Sequence, residues 1–142
     1  MKYPDGRPAI KHISRKRKTK YNNKKVTIDG LTFDSQAEAR YWYTCKQAYL
    51  GNKQVEIKYH EAFEIVPAYQ IGSKKHAARK YTPDFTVYDK GMLIKVIDVK
   101  GGKATMTDGS SMRINLFMYR YKMPVTIAKW NRNTKKFDEE DR

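Results

Sequence analysis

The chain has 142 residues, 30 Lys and Arg against 15 Asp and Glu, and a formal net charge of +15. That length suits one domain, and 39% hydrophobic with 13% aromatic residues suffices for a small core, which excludes a wholly disordered chain. No apolar run reaches the roughly 18 residues of a membrane span, no apolar stretch follows the N-terminal lysines as a secretory signal needs, and one cysteine, Cys45, allows neither an internal disulfide nor a thiolate zinc cage.

The positive charge is uneven. Residues 1–25 hold ten Lys and Arg and one acid, a net of +9, and the remainder still carries +6. A basic run alone is often only a solvated tail, but a surplus that persists outside it points to a polyanion, because Lys and Arg near a phosphate backbone release condensed counterions. Pro4, Gly6, Pro8 and the Asn22-Asn23 pair break any helical period in the arm, so an anionic membrane is the weaker partner. The expected organisation is a flexible basic arm at 1–25, a domain at 26–133 and a polar tail at 134–142.

Asp29-Gly30, flanked by Val26, Ile28, Leu31 and Phe33, predicts a two-residue hairpin opening the domain. Ser35-Gln36-Ala37-Glu38 reads as a capping box, starting a helix that runs over 36–50 and stops at Gly51. Tyr41, Trp42 and Tyr43 are consecutive and point around that helix, with packing their expected role. Extended runs follow at 54–59 and 62–70, the second interrupted by Pro67, and then a basic loop at 72–80. A strand at 82–88, a turn at Asp89-Lys90-Gly91 and an apolar, central strand at 92–100 come next. A helix over 110–121 and a strand at 125–130 close the domain. Helices interspersed with strands in this order give an α/β (α+β) fold, a mixed sheet flanked by helices.

The hairpin gathers charge. If 89–91 is a three-residue loop, opposed residue numbers sum to 180, and Asp84 faces Val96. Period-two alternation then puts Asp84, Asp98 and Lys100 on one face, the two aspartates diagonal neighbours with Cα atoms about 7–8 Å apart. Charges at the end of a buried strand must neutralise one another or bind something. An Asp–Lys pair is the plain reading, but it leaves Asp84 unexplained. A hard divalent cation such as Mg²⁺ accounts for all three, since it takes carboxylate oxygens together with waters and substrate phosphate.

Pro83-Asp84, followed across the hairpin by Asp98-Val99-Lys100, resembles the PD-(D/E)XK nuclease motif, with Glu38 on the upstream helix. Phe33-Asp34-Ser35-Gln36-Ala37-Glu38, Tyr81-Thr82-Pro83-Asp84-Phe85 and Asp98-Val99-Lys100-Gly101-Gly102 resemble a group of small phage-encoded endodeoxyribonucleases over about residues 26–130. The resemblance implies a restriction-endonuclease-like fold and hydrolysis of DNA dependent on Mg²⁺, with Mn²⁺ as substitute. Asp84, Asp98, the Val99 carbonyl and Glu38 would hold the metal, and Lys100 would position the attacking water. It further implies the cytoplasm of a bacterial host, branched DNA such as a Holliday junction as an attractive substrate, and a homodimer that makes paired nicks. Glu38 has a second role open to it, bonding the Ser35 amide in the capping box. Lys74, Lys75, Arg79 and Lys80 crowd the loop before Asp84, while Lys103, Arg113 and Arg120 extend the basic track, the last two on a helix stripe with Phe117. His12, His60 and His76 lack zinc spacing and receive no chemistry. The rival reading is a DNA-binding accessory protein with a retired site, against which stand the intact Asp84, Asp98 and Lys100.

Overall fold

The structure is a computed structural model that describes residues 24–101 and 106–142. β1 (Val26–Ile28) and β2 (Leu31–Phe33) form the opening hairpin, with both turn residues left-handed, Asp29 at φ 52° and Gly30 at φ 76°. α1 (Gln36–Ala48) starts at Ser35, whose hydroxyl accepts the Glu38 amide, and ends two residues before Leu50 as its last turn unwinds. β3 (Val55–Tyr59), β8 (Phe85–Asp89), β9 (Met92–Lys100), β10 (Thr126–Asn131) and β11 (Lys136–Asp141) build one mixed sheet in the order β11-β10-β9-β8-β3. β9 is its middle strand, as its apolar composition required. α2 (Asp108–Tyr121) carries the chain from β9 to its parallel neighbour β10. The class is α+β, consistent with a restriction-endonuclease-like core. Among the described residues no helix is long and apolar enough to cross a membrane.

Each face of the sheet has its own core. α1 and the first hairpin cover one, where Phe33, Tyr41, Trp42 and Cys45 pack on Phe85, Val87, Ile97 and Val99. Tyr41 and Trp42 are thus packing residues, and Tyr43 is exposed. On the other face α2 packs Ile114 and Phe117 against Ile65, Tyr81, Val96 and Val125.

Two expected segments differ. The basic loop at 72–80 is largely strand: β4 (Phe63–Val66) pairs with β7 (Arg79–Tyr81), and at their far end β5 (Tyr69–Ile71) pairs with β6 (Lys74–His76) across the left-handed Gly72. Lysines conceal β6, which no core covers. The expected polar tail at 134–142 is the edge strand β11, held because Phe137 packs against Tyr41 and Trp130 while Glu139 takes the Tyr41 hydroxyl and the Lys95 ammonium, each at 2.6 Å. Charge is what an edge strand carries to avoid pairing with other chains. Residues 1–23, the greater part of the expected arm, lie outside the described residues.

Candidate functional site

The β8–β9 hairpin turns on two residues, not three. Lys90 and Gly91 have φ 51° and 78°, and Asp89 opposes Met92. That moves the register by one, which alone would send Asp84 and Asp98 to opposite faces. A bulge restores them: Tyr88 opposes Leu93, but Val87 opposes Lys95, so Ile94 is extra, and Phe85 comes opposite Ile97. The total shift is two residues, and the predicted shared face survives although the predicted pairing of Asp84 with Val96 does not. Continued by one step, the ladder sets Asp84 against Asp98.

Asp84 stands where that ladder stops. Buried Pro83 has no amide to donate across the ladder, and the Val99 amide on the facing strand donates to the Asp84 carboxylate, Oδ2 at 2.7 Å. Asp98, 9% exposed, receives the Lys100 ammonium on Oδ1 at 3.0 Å and faces the Tyr81 hydroxyl through Oδ2 at 3.4 Å. These groups line a cleft of about 510 Å³ with Lys80, Thr82, Ser110, Arg113 and, from the first turn of α1, Glu38.

Glu38 does not close its capping box on Ser35. Its Oε2 accepts the Asp34 amide at 3.2 Å and the Tyr59 hydroxyl at 2.7 Å, so it both steadies the helix entry and reaches the cleft. His60, given no role by its spacing, lies beside it. The chain leaves β3 with His60 left-handed, φ 56°, and its amide donates to the Asp84 carbonyl at 3.1 Å. Its ring stacks on Tyr59 at 3.7 Å and places Nε2 at 3.6 Å from Asp84 and 3.9 Å from Glu38. A non-glycine residue in this conformation costs about 1–2 kcal/mol.

Electrostatics oppose this crowding of carboxylates. Burial first, and the Asp84 charge second, push the Asp98 carboxyl above the ordinary carboxylate range, against the pull of Lys100 and Tyr81. Burial and Asp84 do the same to Glu38. The His60 imidazole is held above its usual value, mainly by the Asp84 carboxylate beside it. Ligand atoms of Asp34, Glu38 and His60 lie within 4.8 Å of one another. The donor set is therefore rich in oxygen, repels itself when ionised and fits a hard cation. The sequence pointed to Glu38, Asp84, Asp98 and Lys100, whereas His60 and Asp34 have no spacing signal and are gathered by the β3–β8 register and the helix entry.

Of the basic residues, Lys80 and Arg113 line the cleft. Lys74, Lys75 and Arg79 are exposed on β6 and β7, and Lys103 lies outside the described residues. The stripe on α2 is not one. Phe117 is fully buried, and Arg120 is drawn to Glu64 at 3.1 Å, because α2 packs this face on β4 and β7. Lys129, which the sequence did not single out, pairs in parallel register with Lys100 and shares its face. No curated protein and no solved structure matches the chain. A family model described as "Protein of unknown function (DUF1064)" matches residues 18–139, most of the chain and all the strands and helices around the cleft, and the chain belongs to that family.

Proposed function

We propose that the protein is a divalent-metal-dependent endodeoxyribonuclease that hydrolyses phosphodiester bonds in the cleft between β8, β9 and the two helix N-termini. The observation that carries this reading is the convergence of Asp84, Asp98 and Lys100 on one face of the hairpin with Glu38 arriving from α1. Asp84, Asp98, Glu38 and the Val99 carbonyl would hold Mg²⁺ or Mn²⁺, which when bound lowers the pKa of its water and screens the phosphate. Lys100 orients the attacking water and stabilises the charge developing on the phosphate oxygens. Arg113 and the amide end of α2 attract the phosphate into the cleft, and Lys80 and Lys129 continue the track beyond it. Branched DNA is the substrate proposed, and paired nicks across a branch would take two copies of the chain related by a twofold axis.

The test is cleavage of supercoiled, linear and four-way-junction DNA by the purified chain. Mg²⁺ or Mn²⁺ supports turnover, and Ca²⁺ supports binding with little turnover because its looser coordination misplaces water and phosphate. Asp98→Ala and Lys100→Ala each reduce cleavage by at least about 100-fold, as expected on losing a metal ligand or a charge-stabilising donor, with DNA binding retained. Cleavage that survives both changes, or excess EDTA, overturns the site. Wild-type binding without cleavage on every substrate would leave a DNA-binding accessory protein.

A further inference from the structure

We propose that the β5–β6 hairpin is a DNA-gripping ribbon whose apolar tip selects DNA with bases already unstacked, a proposal that deepens the nuclease reading and rests on its choice of DNA. The two strands pair only with each other, and all six of their residues are exposed. A lone two-stranded hairpin is marginal in water, so core packing does not account for its composition. From residue 65 to residue 83 the chain has four Lys and Arg and no acid.

The register sorts the ribbon's side chains. Tyr69 opposes His76 and Ile71 opposes Lys74 on one face, while Gln70 opposes Lys75 on the other. Tyr69 and His76 stack at 4.6 Å with their planes 11° apart, a ready aromatic platform. Beyond them, at the Gly72 turn, Ile71 is 68% exposed and Tyr69 47%. An exposed aliphatic side chain at the turn, opposed by Lys74 on its own face and followed by Lys75 on the other, has a physical match in DNA: the ammonium groups take backbone phosphates, and the aliphatic side chain enters a base step. A two-stranded ribbon also fits the width of the major groove. Anionic lipid would satisfy the lysines equally, but the ribbon is the extension of β4 and β7, and β7 runs straight into the cleft through Lys80 and Tyr81. The five residue steps from Lys75 to Lys80 span at most roughly 17 Å, the rise of about five base pairs, so one DNA strand can meet both. On intact duplex Ile71 must first separate stacked bases. At a branch, nick or fork it meets bases that are open, and selectivity for such DNA follows.

The experiment uses the full chain in Ca²⁺, with binding to a duplex and to a four-way junction carrying 2-aminopurine at the branch. Wild type prefers the junction and raises the 2-aminopurine fluorescence. Ile71→Ser, a change at an exposed side chain, weakens junction binding about tenfold, leaves duplex binding unchanged and removes the fluorescence rise. Lys74→Ala with Lys75→Ala weakens binding to both DNAs and flattens the log–log salt slope by about 1.8, the share of two phosphates at about 0.9 each. Circular dichroism verifies the fold of each variant. An unchanged salt slope, or an Ile71→Ser effect equal on both DNAs or absent, overturns the proposal. So does a lysine variant that loses binding to vesicles of phosphatidylcholine and phosphatidylglycerol while keeping DNA. Because these readouts need no turnover, an idle ribbon on an active nuclease is distinguishable from a ribbon that binds on a chain that never cleaves, and a wild type that binds neither DNA overturns both readings.

Discussion

Burial and mutual repulsion raise the carboxyls of Asp98 and Glu38, and a group whose pKa rises on folding is favoured in its protonated form. In metal-free buffer the folded protein therefore loses stability as pH climbs above the ordinary values of 3.8 for Asp and 4.5 for Glu and passes through the raised ones. His60 adds to the same trend at higher pH, since its raised value means that its stabilising charge is lost as pH rises above 6.5 and through the folded value. Thermal melts in EDTA should show this part of Tm falling with pH, against the opposite trend of carboxylates such as Asp29 that Lys46 and Trp42 hold below their ordinary value. Asp98→Asn should flatten the fall in the carboxylate range and leave the His60 part, and Mg²⁺ should restore more Tm to wild type at pH above that range than below it. Wild-type and Asp98→Asn melting temperatures that run parallel through the carboxylate range would contradict the crowding. Asp84, Asp98 and Lys100 were legible because alternation along a strand depends only on parity. His60 was not, because its approach to Glu38 needs the β3–β8 register and a left-handed turn that no spacing announces.

At the scale of elements, the hairpin was read correctly in its consequence and wrongly in its mechanism. Two departures, a shorter turn and the Ile94 bulge, cancel in parity. Apolar periodicity finds strands that bury several residues, so β8, β9 and β10 were legible, and it misses those that bury one or none. β6 hides behind lysines, β7 commits only Tyr81 to the core, and β11 sets Phe137 among acids. That β11 belongs to the fold is testable by removing residues 134–142. The deletion withdraws Phe137 from Tyr41 and Trp130, and leaves the buried Tyr41 hydroxyl without Glu139 and β10 without its neighbour. Losing a partly buried aromatic and orphaning a polar group together cost roughly 3 kcal/mol. Urea titration should show that loss, whereas a mere tail would leave the midpoint where it was.

For the molecule as a whole, element order carried the class, since helices between strands gave α+β, and the surplus of +15 is what motivates a polyanionic partner, while sheet order required the structure because nothing local says that β10 lies parallel to β9. The charge is divided between the cleft's surroundings and the N-terminal region. Residues 1–17 precede the family match and contribute six Lys and Arg against one acid, with no apolar period to pack. Among the described residues no buried side-chain polar atom lacks a partner. Deleting 1–17 should therefore keep the melting profile and the turnover at saturating DNA, while weakening affinity for every DNA tested. Each phosphate that the segment no longer neutralises flattens the log–log salt slope by about 0.9 on duplex, so the full six basic residues would account for about 5. An intact slope would make the segment idle in binding, and a collapsed melting transition would make it structural; either would move the DNA contacts entirely onto the folded domain.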